Sequence, residues 1–236
     1  MLGHRGARHA APENTLKAFE LALREGADGV ELDVRLNRDG DVVVLHDPSL
    51  ERVSGGKDKR LCRDLGAREL AEIDVGEGEH VPLLADVLDW ATRHDLCVNI
   101  EVKTDVPDKR RLVSAVADLL AAQQGTEERI LLSSFGPDVV SMLGRRLPTF
   151  GVAWLIHDRQ RLWHLASRYR WLSAIGINPQ HTLLSAARVA SLQRRGALVS
   201  TWTVNDPVLA HAYVRFGVDA LITDSPGQIR SAIGNP

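Results

Sequence analysis

Cysteine is scarce in this chain. Cys62 and Cys97 are the only two, far apart and outside any metal-ligand spacing. Neither a disulfide framework nor a zinc knuckle is expected, and a reducing compartment suits the chain better. No apolar run approaches the roughly 20 residues of a membrane span. The start, Met1-Leu2-Gly3-His4, has no basic stretch ahead of an apolar core. A cytoplasmic protein without an integral membrane segment is therefore expected. An excess of either charge is lacking too: 29 Lys and Arg stand against 31 Asp and Glu, a net −2, so no broad affinity for nucleic acid follows. What remains is an ordinary globular balance, 44% hydrophobic over 236 residues, enough to bury one core without covalent or metal staples.

Strand-like and helix-period segments alternate along the whole chain, with short Gly, Pro and Asp punctuation between them. The strand candidates are residues 1–4, 28–34, 97–102, 130–134, 150–155, 174–178, 198–203 and 220–223. Helical patterns follow at residues 15–24, 84–93, 108–122, 137–145, 161–168, 185–194, 207–215 and 226–233. In the first of them Leu16, Phe19 and Leu23 share a face, Asn14 is placed to cap the start, and Gly26 suits a left-handed exit. Repeated strand–helix pairs predict an α/β fold, a single (β/α)8 TIM barrel over residues 1–236, with an open doubly wound sheet as the alternative.

One segment breaks the alternation. Residues 41–45 form a further apolar strand after Asn37-Arg38-Asp39-Gly40, a hairpin signal, with no helix in between. An antiparallel return would bring His46 back beside Glu31 and Asp33. Residues 47–82, rich in charge and glycine, then read as a small insertion or lid after strand two.

In a parallel barrel the reactive groups gather at the C-terminal ends of the strands. Glu31 and Asp33, two apart, share one face of strand two, while Val30, Leu32 and Val34 take the other. A solvated face is the ordinary reading of an isolated Glu-x-Asp. In a barrel interior, however, two carboxylates are costly unless compensated. Glu101 repeats the spacing with Lys103 on the neighbouring strand, where a buried Glu–Lys pair is the structural alternative. Three carboxylates without cysteine suit a hard divalent ion, Mg²⁺ or Ca²⁺. Of the nine histidines, His4 and His46 alone should flank these acids, and imidazole titrates where acid–base work needs it. His157 and His181 are reserve candidates. Arg5 and Lys103 offer fixed positive charge to an oxyanion. Trp202 either walls the pocket against the organic part of a substrate or plugs the core.

These residues stand in a recognisable order. His4-Arg5-Gly6, Pro12-Glu13-Asn14-Thr15, Gly26-Ala27-Asp28, Glu31-Leu32-Asp33-Val34, Asp39-Gly40 and His46-Asp47 resemble the signature of the glycerophosphodiester phosphodiesterase family. Val81-Pro82-Leu83, Glu101-Val102-Lys103, Ser133-Ser134-Phe135, Trp202-Thr203-Val204-Asn205 and Thr223-Asp224-Ser225-Pro226 extend the resemblance over nearly the whole chain. The resemblance implies a barrel with a small insertion, one divalent ion held by Glu31, Asp33 and Glu101, and an acid–base pair in His4 and His46. It further implies a small-molecule substrate, a glycerophosphodiester, hydrolysed to sn-glycerol 3-phosphate and an alcohol such as choline or ethanolamine. The same site could instead release a cyclic phosphate, as related barrels acting on lysophospholipids do. A catalytically silent barrel that binds a phosphorylated metabolite is the third reading. Metal-dependent amidohydrolases are disfavoured, since their His-x-His strand signature is missing. Because only three residues precede His4, where family members often carry a longer first strand, fraying there is an expectation to check.

Overall fold

The computed structural model describes residues 1–123, 125–160 and 169–234. The helix expected over residues 161–168 lies outside the described residues. The strands are β1 (Leu2–His4), β2 (Gly29–Leu36), β3 (Val42–Val44), β4 (Cys97–Val102), β5 (Ile130–Ser134), β6 (Gly151–Ile156), β7 (Gly176–Pro179), β8 (Leu198–Thr201) and β9 (Ala220–Thr223). All pair in parallel except β3, and the order runs β1-β9-β8-β7-β6-β5-β4-β2. Pairing of β1 with β2 through Leu2–Gly29, Gly3–Val30 and His4–Glu31 closes the ring. The result is the (β/α)8 barrel rather than the open sheet. β1 does not fray: three residues long, it is held by β2 on one side and by β9 on the other.

Helices α1 (Leu16–Arg24), α2 (Ala67–Ala71), α3 (Leu84–Arg93), α4 (Lys109–Ala121), α5 (Pro137–Arg146), α6 (Ala186–Gln193), α7 (Pro207–Phe216) and α8 (Pro226–Ile233) are described. α5, α7 and α8 each begin on proline, whose fixed φ suits the first turn and whose missing N–H would be unpaired there anyway. The start of α1 differs from expectation. Thr15, not Asn14, is the cap, its hydroxyl accepting from the Ala18 N–H at 3.2 Å. Asn14 takes a left-handed φ of 58° and turns into the barrel mouth. Gly26, with φ 84°, makes the predicted left-handed exit.

The apolar faces of the helices meet the outward faces of the strands in one core. Val30, Leu32 and Val34 of β2 pack there with Phe19, Leu84, Leu88 and Trp90. Phe19 is fully buried with its ring centroid 6.0 Å from that of Trp90; such a side chain contributes about 3 kcal/mol when removed from water. β2 is therefore covered on both sides, and its alternate residues, Glu31, Asp33 and Arg35, turn inward and are buried.

β3 stands outside the ring. It runs antiparallel to β2 with Val34–Val44, Arg35–Val43 and Leu36–Val42 in register, as the Asp39-Gly40 turn predicts. Between β3 and α3 the chain gathers a second apolar cluster, with Leu45, Leu50, Cys62, Leu65 and Leu70 buried against Val43.

Candidate active site

A cleft of about 270 Å³ opens at the C-terminal end of the strands and is lined in part by His4, Arg5, Glu31, His46, Glu101 and Trp202. Register explains the convergence. Asp33 pairs with Glu101, and Glu31 with Asn99, so the acids of β2 and β4 project side by side into the mouth. One oxygen from each of Glu31, Asp33 and Glu101 can be chosen so that all lie within 4.8 Å of one another. Only oxygens are offered, a donor set that fits a hard divalent cation.

The charges around these acids are unequal. Burial, then the neighbouring charges of Asp33 and Glu101, push Glu31 well above the usual carboxylate range. Burial also raises Glu101, against the pull of Lys103. Burial would raise Asp33 as well, but Lys103, Arg5 and His46 prevail and hold it far below its ordinary value. Lys103 Nζ lies 2.8 Å from Glu101 and 3.2 Å from Asp33, and Asn14 Nδ2 donates to Asp33 at 3.0 Å. Glu31 receives the Arg5 main-chain N–H at 3.2 Å, and among the described residues the basic side chain that comes nearest to it is His4, with Nε2 at 3.9 Å. A bound cation would relieve a repulsion that the chain's own groups leave standing at Glu31.

Arg5 is steered by its backbone. It has a left-handed φ of 55°, and its N–H also donates to the Glu31 carbonyl oxygen at 2.8 Å. Gly6 follows with φ 82°, against α1, where a Cβ would come within 2.5 Å of the Ala18 main chain. Only glycine allows the turn to lie that close. The guanidinium then reaches between Glu13 at 3.0 Å and Asp33 at 3.1 Å.

Each histidine is held by a carboxylate. His4 Nδ1 meets Asp224 Oδ1 at 2.6 Å, and His46 Nδ1 meets Asp47 Oδ1 at 2.6 Å. Burial opposes ionisation of both acids, yet their hydrogen bonds, to His4 and Asn205 for Asp224 and to Arg52 and His46 for Asp47, keep both low. An ionised carboxylate only accepts, so each Nδ1 carries a hydrogen and each Nε2 is left for the cleft. Burial lowers the pKa of both rings; Asp224 opposes this at His4, and Asp33 opposes it at His46.

The far wall of the cleft is different in kind. Phe135, Leu155, His157 and Trp202 line it. Phe135 and Trp202 meet edge to face with centroids 5.4 Å apart, and His157 lies 5.8 Å from Trp202. Trp202 is fixed by its indole N–H, which donates to the Asn178 carbonyl oxygen at 2.8 Å. His181 is not in this wall; its main-chain carbonyl accepts from the Tyr213 hydroxyl at 2.9 Å, and its Nδ1 lies 3.4 Å from that oxygen.

Comparison with known proteins gives the family. The model of the glycerophosphoryl diester phosphodiesterase family matches residues 4–228. The chain belongs to this family. A glycerophosphodiester phosphodiesterase of Caldanaerobacter subterraneus subsp. tengcongensis is 30% identical, the match covering 96% of this chain and 94% of the relative. A phosphodiesterase of Oleispira antarctica, solved in complex with the product sn-glycerol-3-phosphate, is 27% identical with a TM-score of 0.89, over 98% of this chain and 95% of that one. The glycerophosphodiester phosphodiesterase of Thermotoga maritima is 28% identical with a TM-score of 0.78, over 98% and 96%.

Several residues around this family site escaped the sequence reading. Asp224 and Asn14 stand in the family-like motifs without a task of their own, Asn14 being expected to cap α1. Glu13 joins Arg5 to Arg52, which reaches it at 2.7 Å and Asp47 at 2.5 Å. Arg35 continues the Glu31, Asp33 alternation, and the same period-two count could have found it. Glu13 and Arg52 carry no such periodic signal, because loops bring them in.

Proposed function

We propose that this chain is a glycerophosphodiester phosphodiesterase that hydrolyses its substrate to sn-glycerol 3-phosphate and an alcohol, with Glu31, Asp33 and Glu101 as the holders of one divalent ion. The oxygen-only set suits Mg²⁺ or Ca²⁺. When bound, that ion supplies Lewis-acid polarisation of a phosphate oxygen.

The chain's own groups do the rest. Arg5 and Lys103, fixed cations kept charged by their carboxylate partners, balance charge that grows on the phosphate oxygens. His4 is the base. Neutral near pH 7 because burial lowers its pKa, it presents Nε2 to a hydroxyl or water, while Asp224 at Nδ1 keeps that tautomer and stabilises the imidazolium that forms. His46 is the acid. Asp47 pins its Nδ1 and leaves Nε2 to the cleft; in the protonated form, which burial disfavours and the nearby Asp33 favours, Nε2–H goes to the departing alcohol oxygen. Trp202 and Phe135 receive the organic part of the diester on the opposite wall.

One observation supports this most strongly: two histidines, each pinned at Nδ1 by its own carboxylate, edge a pocket in which three further carboxylates crowd together. The test is a panel of glycerophosphodiesters given to chelator-stripped protein with and without Mg²⁺ or Ca²⁺, followed by phosphorus NMR. Ion-dependent appearance of glycerol 3-phosphate is expected. Turnover indifferent to the ion, a cyclic phosphate as end product, or binding without turnover would each overturn the assignment.

A further inference from the structure

Arg35 takes no part in the chemistry proposed above, yet it is among the most deeply placed cations in the molecule. It follows Asp33 on the inward face of β2 with its side chain 4% exposed. A guanidinium so placed costs several kcal/mol unless its N–H groups are matched. Nε and Nη2 donate to one acceptor, the main-chain carbonyl oxygen of His46, at 2.9 and 2.6 Å. Nη2 also meets both carboxylate oxygens of Asp105 at 2.8 Å, and Nη1 donates to the Asp105 carbonyl oxygen at 3.3 Å.

The place of that carbonyl matters. The pairing of β3 with β2 runs out at Val44, and Leu45 adds a last bond from its N–H to the Asp33 carbonyl oxygen at 2.9 Å. His46 is the next residue, where the ladder no longer fixes the chain. Arg35 takes over there, tying the main chain of His46 to Asp105 in the loop that follows β4. A planar fork can bridge two such acceptors; a point charge cannot do so with the same geometry.

We propose that Arg35 is a positioning residue for His46, setting the distance of its imidazole from the carboxylates through the main-chain carbonyl. The inference rests on the reading of His46 as a proton-transfer group, and the experiment separates the two. In the full chain, Arg35→Met should lower kcat by roughly ten- to a hundredfold with KM held within about twofold, the signature of a misplaced reacting group rather than a lost binding contact. Arg35→Lys, which still donates to the carbonyl, should fall between the two.

In a His46→Ala background the Arg35→Met change should alter the residual rate by less than about twofold, because no imidazole is left to place. If Arg35→Met does not fold, as judged by circular dichroism melting, Asp105→Ala carries the same cycle from the half-exposed anchor, with a smaller loss in the same direction. Full turnover in a folded Arg35→Met protein, or in Asp105→Ala where that variant carries the test, overturns the proposal. So does an equal loss with and without His46. Normal turnover in His46→Ala alone sinks the acid–base reading instead; an impaired His46→Ala beside an unimpaired Arg35→Met sinks only the role of Arg35.

Discussion

The two walls of the cleft are built on opposite principles. On the side of β1, β2 and β4, charge is packed against charge: Glu31, Asp33, Glu101, Lys103 and Arg5 are all confined to the barrel mouth, and their ionisation depends on one another. On the side of β6 and β8, Leu155 and Trp202, with Phe135 beyond β5, offer rings and methyl groups held by shape. On the roles proposed above, chemistry and recognition are carried by different strands of one ring, so a change on one wall should register in a different kinetic constant from a change on the other.

The largest effect should come from the charged wall. Glu101→Gln is expected to lower kcat on the order of 10³-fold, as removal of a preorganised charged group does, and to weaken any rise in Tm on adding Mg²⁺ or Ca²⁺. The metal-free variant should melt no lower than the parent, since a crowded negative charge has gone; differential scanning fluorimetry reads this. His4→Ala and His46→Ala should each lower kcat by on the order of 10²-fold or more while KM stays within a few-fold. Steady-state kinetics that moved KM instead would erase the distinction between the walls.

Trp202→Ala should do the reverse. Losing one side of the aromatic pair removes about 1 kcal/mol beyond simple burial, so KM should rise roughly fivefold or more with kcat within about twofold. Measuring substrates with different alcohol groups would sharpen the point, because only the apolar wall should distinguish them.

The smallest effect is in pH. Glu31 is raised in the folded chain, so without a cation it contributes stability that is fully present below the ordinary carboxylate pKa and is lost as pH rises through the raised value. A divalent ion replaces that proton. The ion-induced gain in Tm should therefore grow by a few degrees as pH climbs through that window, whereas the KM change of Trp202→Ala should not vary with pH. A pH-independent metal shift would mean that Glu31 is not a ligand.

Much of this was legible beforehand, for physical reasons. β4, β5, β9, α3 and α8 have the bounds their periodicity predicts, because buried strands and amphipathic helices write their burial into spacing. The carboxylates were legible because alternation on a strand fixes which residues share a face. β7 begins at Gly176, two residues later than the apolar pattern suggests, and β8 ends at Thr201, two residues sooner. Asn14 was misread since an amide before a helix ordinarily caps it, and only the nearness of Asp33 gives it a better partner. Closure and the Glu13–Arg52–Asp47 chain depend on meetings between distant segments, which no local pattern encodes.

β3 carries one further consequence. His46 arrives on a ribbon that hangs from the outside of the barrel and is no stave in it. The ring closes through the pairing of β1 with β2 and not through that ribbon, yet Val42 and Val44 seat the ribbon in the main core. On the role proposed for His46, a reacting group is carried by a strand that takes no place in the ring and is held instead by its apolar side chains in the two cores.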